Sequence, residues 1–295
     1  MAILYACSLI WICKWISERL QEKDRFYYMA DILFLLSMSV FPFLGVCCFM
    51  NYGLFLAGCA LLVFTLLQCK HEVLAGIVFS LIMIKPQIGI PLLIPLFINR
   101  NYKTIAVAGA ICIMETLFAA WKLDKSPVEL ILQIPQIGAP FLRKDFFGRI
   151  AAGIFGAPGS YVSMGLFLAI ASAGSFFVRN AKDIWVRFLP AIAIIPFWVY
   201  SQFHDWIILL PCYFYIVKSR EKYPVLYDLS FCLLFLWGVF TFCNLVEWYL
   251  IGKQGIASAL HLAIVAIGCF MAISDTNEKW NMSLLNIKKR RARSP

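Results

Sequence analysis

A lysine lies in the middle of the apolar stretch Ala75–Arg100, where Lys85 is followed at once by Pro86 and Gln87. A lysine at bilayer depth costs about 2.5–3.5 kcal/mol on insertion scales, so its ammonium group should face protein or a water-filled cavity. Pro86 removes a helical N–H and disfavours the helical region for the residue before it, so we expect the helix to break here. Broken helices at this depth are tolerated where they are buried in protein or line a cavity. The alternative is that Lys85 extends from a short helix end to a lipid headgroup.

His204 and Asp205 form a second polar pair, between two apolar runs within Tyr200–Pro211. Histidine can act as an acid, a base or a donor to phosphate, and aspartate can act as a base or orient a sugar hydroxyl. Adjacent residues of a helix do not face each other, whereas in a turn both side chains could line one cavity. An ordinary hydrated loop is the alternative interpretation.

The segment 122–159 is the longest polar connection, and it contains four prolines. Its cationic residues Arg143, Lys144 and Arg149 lie among phenylalanines, and Val128–Ile137 could form a short surface helix. Cations interleaved with aromatic rings are typical of the membrane interface. The alternative is that Arg143 and Lys144 bind the anionic group of a lipid-linked substrate.

Composition places the chain among membrane proteins. Its 295 residues are 62% hydrophobic and 14% charged, against roughly 25% charged in soluble domains. We expect an all-α fold, a polytopic transmembrane helical bundle over residues 1–273 with about 9–11 membrane segments, some of them short or broken. Residues 274–295 form a basic tail that ends in Lys288–Arg293. This tail indicates a cytoplasmic end rather than nucleic-acid binding.

Lysine and arginine also predict which connections share a side. If 73–98 is a hairpin and Arg187, near the start of its helix, is counted with the tail side, 18 of the 26 Lys and Arg residues fall on that side and six on the other. The bias favours a cytoplasmic position for those 18 and places Lys85 toward the outer face. A single kinked helix over 73–98 is the alternative. The first apolar run then begins at mid-membrane, so we expect a further helix and loop upstream of Met1. The segments on the tail side are 17–26, 69–72, 99–103, 179–183, 218–226 and 274–295.

The chain contains no phosphate-binding loop, no nucleophile elbow and no zinc or dinucleotide motif, so we expect neither a metal nor a cofactor. Most of the eleven cysteines lie in apolar runs without metal-ligand spacing, and we interpret them as small hydrophobic residues. Glu115 and His261 lie inside apolar runs, and we expect each to form an interhelical hydrogen bond.

Three segments in order carry a family resemblance. They are the turn Asn51-Tyr52-Gly53, the stretch Glu72–Arg100 with its Lys85-Pro86-Gln87 core, and Ser201–Pro211 with His204-Asp205. Together they resemble glycosyltransferase family 87, also called domain of unknown function 2029, in the GT-C superfamily of membrane glycosyltransferases. The first turn departs from the Asn-Gly-Gln pattern that is usual in the family.

The resemblance implies a multi-pass enzyme of the bacterial plasma membrane. Such enzymes move a hexose or pentose from a polyprenyl-phosphate sugar to an extracytoplasmic glycan or glycolipid. By this analogy Lys85 neutralises the donor phosphate with Gln87 nearby, and His204 contacts the phosphate or the acceptor, beside Asp205.

The family places its base, an aspartate, in the first outer loop, and no residue here matches that position. The catalytic residue is therefore unassigned, and the chain as given could be inactive. Two other functions stay open, a catalytically inactive membrane subunit and a transporter of lipid or solute.

Overall fold

The computed structural model of the chain describes residues 52–133, 146–156, 158–198, 203–233 and 255–291. All regular structure in these ranges is helical, which confirms the predicted all-α class. The elements are α1 (Gly53–Gln68), α2 (Glu72–Ile82), α3 (Pro86–Ile98), α4 (Tyr102–Leu123), α5 (127–133), α6 (Phe146–Phe155), α7 (Gly159–Val178), α8 (Ile184–Trp198), a 3-10 helix (Phe203–Leu209), α9 (Leu210–Lys218), α10 (Pro224–Leu233) and α11 (Gly255–Arg291).

The predicted helix break at Lys85 is confirmed. α2 ends at Ile82, and Pro86 is the first residue of α3, where its missing N–H would have had no helical partner. Lys85 precedes α3 with φ −113° and ψ 88°, and its carbonyl oxygen accepts a hydrogen bond from the Ile88 N–H at 2.8 Å. Pro86 therefore begins a new helix.

α2 and α3 form a hairpin rather than one kinked helix. Thr104 Oγ1, in the first turn of α4, donates to the carbonyl oxygen of Glu72 at 3.1 Å. A continuous helix over 72–98 would be about 40 Å long, and the start of α4 could not then reach the start of α2. One turn further along, a Cβ at Gly76 would lie 2.7 Å from Val107 Cβ. α2 and α4 therefore run parallel and in close contact. α3, which follows α2 in the chain, runs back in the opposite direction and leads into α4.

Several connections meet at one end of the bundle, which we call the basic end. Two hydrogen bonds and one salt bridge join them. The Ile184 N–H donates to Gln68 Oε1 (3.0 Å), Arg187 Nη1 donates to Asn99 Oδ1 (3.3 Å), and Lys218 Nζ forms a salt bridge with Asp183 Oδ2 (3.2 Å). The segments 69–72, 99–103, 179–183 and 218–223 thus lie on one side, as the distribution of charge predicted. The α2–α3 turn and the end of α8 lie at the opposite end, which we call the site end.

Asp275 fixes α11 at the basic end. Its carboxylate accepts hydrogen bonds from Tyr215 Oη at 2.6 Å, Lys222 Nζ at 2.5 Å and Tyr223 Oη at 3.1 Å. Lys222 also contacts Glu278. The two carboxylates, Asp275 first, raise the pKa of the Lys222 ammonium group, so Lys222 stays charged throughout the physiological range.

α8 is the central helix of the described bundle. Every residue from Trp185 to Trp198 is buried except Arg187. α8 packs against α1, α3, α7, α9, α11 and the 3-10 helix. Its approach to α7 is close, because a Cβ at Gly174 would lie 2.6 Å from Pro190 Cβ.

Three helical segments in the described ranges are long and apolar enough to cross a membrane: Tyr102–Leu123, Gly159–Val178 and Ala259–Glu278. The outward side of α4 is strongly apolar, with Ile113, Met114, Leu117, Phe118 and Trp121 all exposed. Side chains of this kind on an outer surface are suited to lipid. The chain is therefore a membrane protein, whose shorter helices α1, α2, α3 and α8 pack beside the long ones.

Candidate functional site

Lys85 stands at the tip of the α2–α3 hairpin, at the site end. Its side chain and that of Gln87 are partly buried, whereas the preceding residue, Ile84, is 56% exposed. The hairpin tip therefore carries one apolar residue outward and two polar residues against the protein. Binding of an anion by Lys85 stays a prediction.

Gln87 is joined to α8 through its backbone. The Nε1–H group of Trp198, the last residue of α8, donates to the Gln87 carbonyl oxygen at 2.7 Å. Within α3 that oxygen should accept from residue 91, but residue 91 is proline and has no N–H. Trp198 therefore satisfies a carbonyl that the helix leaves without a donor, and in doing so fixes the first turn of α3 to the end of α8.

The segment with His204 and Asp205 returns to the same turn of α8. Both residues lie in the 3-10 helix Phe203–Leu209, where neighbouring positions are about 120° apart around the axis. The backbone therefore forms a helix here, not the turn in which we expected that both side chains could line one cavity. Trp206 follows directly, and its ring lies 6.1 Å from that of Phe197 in α8.

The end of α8 contacts two of the predicted polar segments. Phe197 and Trp198 are consecutive residues, and they contact the 3-10 helix and the first turn of α3 respectively. Arg143 and Lys144 lie outside the described residues, so their predicted part in binding is not placed by this arrangement.

Among the other polar residues, His261 is confirmed as an interhelical partner. Its Nε2 atom and the Tyr213 hydroxyl form a hydrogen bond between α11 and α9. Glu115 is different, because it is exposed on α4 and forms no hydrogen bond with the described part of the chain. Among the described residues the expected interhelical hydrogen bond of Glu115 is therefore not found, and its side chain is exposed.

Sequence reasoning missed Trp198 and Trp206. The signal for Trp198 was the spacing of Gln87 and Pro91, which leaves one carbonyl oxygen without a helical donor. The partner itself could not be read from that spacing, because it lies 111 positions away. Trp206 had no signal beyond its position next to Asp205.

In the described ranges no three His, Cys, Asp or Glu side chains are grouped so that they could hold a metal ion. Asp124, an acidic residue of the site end, is exposed in a left-handed conformation (φ 51°) just after α4. Its position is that of a helix-terminating residue, and no contact with another described residue gives it a chemical role.

Comparison with known proteins gives one match. The family model of glycosyltransferase family 87 matches residues 1–130 of the 295-residue chain. The match includes the Lys85-Pro86-Gln87 hairpin and confirms the resemblance drawn from it, whereas Ser201–Pro211 lies beyond the matched residues. No curated protein and no solved structure matches the chain. By its description, the family whose model matches is one of glycosyltransferases.

Proposed function

We propose that this chain, whose residues 1–130 match glycosyltransferase family 87, transfers a hexose or pentose from a polyprenyl-phosphate sugar to an extracytoplasmic glycan or glycolipid. The observation that supports the proposal best is the shared anchor at the end of α8. Trp198 holds the segment with Lys85 and Gln87, and Phe197 packs against the segment with His204 and Asp205.

In the proposed reaction, the bond between the anomeric carbon and the phosphate oxygen breaks, and an acceptor hydroxyl bonds to that carbon. Negative charge then grows on the leaving polyprenyl phosphate. A fixed cation such as Lys85 stabilises this charge most when water is excluded. His204 contacts the phosphate or the acceptor, and Arg143 and Lys144 add positive charge at the membrane surface. The acceptor proton passes to a base, a role to which no residue is assigned.

The membrane context favours a donor carried by lipid. The hairpin of α2 and α3 has an apolar outer surface, on which Ile77, Ile84 and Ile90 are exposed. An isoprenoid chain could lie against such a surface with its phosphate at the hairpin tip. A water-soluble nucleotide sugar would gain nothing from this apolar approach.

Membranes that contain the protein, supplied with a radiolabelled polyprenyl-phosphate sugar and a glycolipid acceptor, test the proposal. We expect Lys85→Ala to lower turnover by roughly 100-fold, the typical effect of removing one group that stabilises developing charge. Lys122→Ala, which removes an exposed cation at the same end of the bundle, should leave turnover unchanged.

Two results would contradict the proposal. Equal turnover in Lys85→Ala and the unaltered protein would remove Lys85 from the site. Binding of the labelled lipid without turnover, unaffected by the substitution, would instead indicate a catalytically inactive subunit.

A further inference from the structure

We propose that Tyr213 and His261 are positioning residues, which hold the 3-10 helix Phe203–Leu209 through Trp206 and so set where His204 and Asp205 stand. The proposal rests on the function proposed above, because it concerns the same site. It assigns a role to buried residues that are not among the predicted binding residues.

The support is a cluster of three side chains from three elements. The ring of His261 in α11 lies 4.6 Å from the ring of Trp206 in the 3-10 helix, and 5.4 Å from the ring of Tyr213 in α9. The Tyr213 hydroxyl and His261 Nε2 are hydrogen-bonded, and both side chains are at most 2% exposed. The imidazole is therefore hydrogen-bonded to Tyr213, and its ring lies tilted by 51° against the ring of Trp206.

Trp206 connects this cluster to the site. It is the residue after Asp205, and on its other side it packs against Phe197 of α8. Its buried Nε1–H has no hydrogen-bond partner among the described residues. Packing alone therefore holds the indole among the described residues, and the rings of His261 and Phe197 are part of that packing.

The 3-10 helix needs such a support. It is seven residues long, whereas 3-10 runs beyond three or four residues are uncommon because their hydrogen bonds are poorly aligned. Ile207, Ile208 and Leu209 are buried and secure its second half. In its first half, where His204 and Asp205 lie, Trp206 is the nearest residue with a described ring contact.

Holding α9 against α11 does not by itself require this polar pair. Gly268 already brings the helices close, since a Cβ there would lie 3.2 Å from the Cys212 carbonyl oxygen. Tyr215 and Asp275 also join the same two helices at the basic end. Interhelical hydrogen bonds stabilise membrane bundles weakly, so an apolar pair could have served if packing were the only requirement.

Tyr213→Phe and Tyr215→Phe form a matched pair of test variants. Each removes one hydroxyl group from α9 that bonds to α11, but only the first touches the cluster around Trp206. Hydrogen–deuterium exchange of the purified protein in lipid nanodiscs measures the opening of residues 203–209 directly. We expect about tenfold faster exchange there in Tyr213→Phe and no change in Tyr215→Phe.

Turnover with the labelled polyprenyl-phosphate sugar gives a second readout. Displacing catalytic groups by a fraction of an ångström lowers kcat, so we expect Tyr213→Phe to reduce kcat roughly tenfold with KM unchanged. His261→Leu should act in the same way, whereas His261→Gln, which keeps a partner for the Tyr213 hydroxyl, should recover part of the loss. Tyr215→Phe should stay within about twofold of the unaltered protein.

The two readouts separate this proposal from the function on which it rests. If the unaltered protein shows no transfer, the proposed function fails, and the exchange measurement still decides whether the cluster holds the 3-10 helix. Equal exchange at 203–209 in both tyrosine variants would overturn the positioning role. So would faster exchange in Tyr213→Phe without any loss of kcat in an active enzyme.

Discussion

The carbonyl oxygen of Gln87 lacks a hydrogen-bond donor within its own helix, and a residue distant in the chain supplies one. Pro91 cannot donate to it, and the Trp198 indole does so instead at 2.7 Å. A carbonyl left without a donor in an apolar setting costs about 1–3 kcal/mol. The hydrogen bond therefore contributes both to stability and to the position of the turn that carries Lys85.

Trp198→Phe should lower the free energy of unfolding by about 1–3 kcal/mol, because it keeps an aromatic ring but leaves the Gln87 carbonyl without a donor. Adding Pro91→Ala should recover part of this loss, since an alanine at that position restores the helical N–H that reaches the same oxygen. Thermal unfolding in detergent measures both. Trp121→Phe, which changes an indole that is 76% exposed on α4, is the control. No recovery in the double variant would contradict this account of the Trp198 contact.

At the scale of elements, the packing of the α2–α3 hairpin against the bundle depends on how closely α2 approaches α4. The approach requires glycine at position 76, where a Cβ would lie 2.7 Å from Val107 Cβ and 2.8 Å from the Thr104 carbonyl oxygen. Small residues at helix contacts permit such approaches in membranes. The same region of α4 contains Gly109, where a Cβ would meet no atom of another described element within 4 Å.

Gly76→Ala and Gly109→Ala should therefore have opposite effects. Gly76→Ala forces the helices apart and should destabilise the protein by about 1–3 kcal/mol, as overpacking does. Gly109→Ala should stabilise it by roughly 0.5–1 kcal/mol, because alanine loses less backbone freedom in a helix. Thermal unfolding in one detergent compares the two. A Gly76→Ala protein as stable as the unaltered one would show that α2 and α4 lie further apart than described.

At the scale of the whole molecule, charge distribution and hydrogen bonding agree on which connections share an end. Lysine and arginine bias alone predicted the grouping of 69–72, 99–103, 179–183 and 218–226. Contacts such as that of Arg187 with Asn99 bring these segments together. The assignment of the basic end to the cytoplasm follows from the positive-inside rule and stays a prediction.

Labelling of introduced cysteines with a membrane-impermeant reagent tests that assignment. In a background with the eleven native cysteines replaced, Lys103→Cys and Lys182→Cys should react only after the cells are permeabilised. Lys122→Cys, at the site end, should react in intact cells. Labelling of positions 103 and 122 from the same side would contradict the described path of α4 through the membrane.

The sequence predicted those features of the site that have local causes. The break at Pro86 follows from the chemistry of proline, and the grouping of connections follows from charge. The contacts of Trp198 with Gln87 and of His261 with Tyr213 and Trp206 have no local cause, because they depend on which helices become neighbours. The exposure of Glu115 in the described part of the chain was not predicted either, since an apolar run does not reveal which of its sides faces the neighbouring helices.

The short helices of the hairpin also act on the surrounding lipid. α2 and α3 have 11 and 13 residues and are about 16 and 20 Å long, whereas the hydrocarbon layer of a bilayer is about 30 Å thick. Beside α4, with its 22 residues, no such shortfall exists. We expect the bilayer to thin around the hairpin tip, which is one way in which membranes accommodate short hydrophobic elements. Thinning would bring headgroups and water closer to Lys85, and a charged lipid could then meet the ammonium group from its own leaflet.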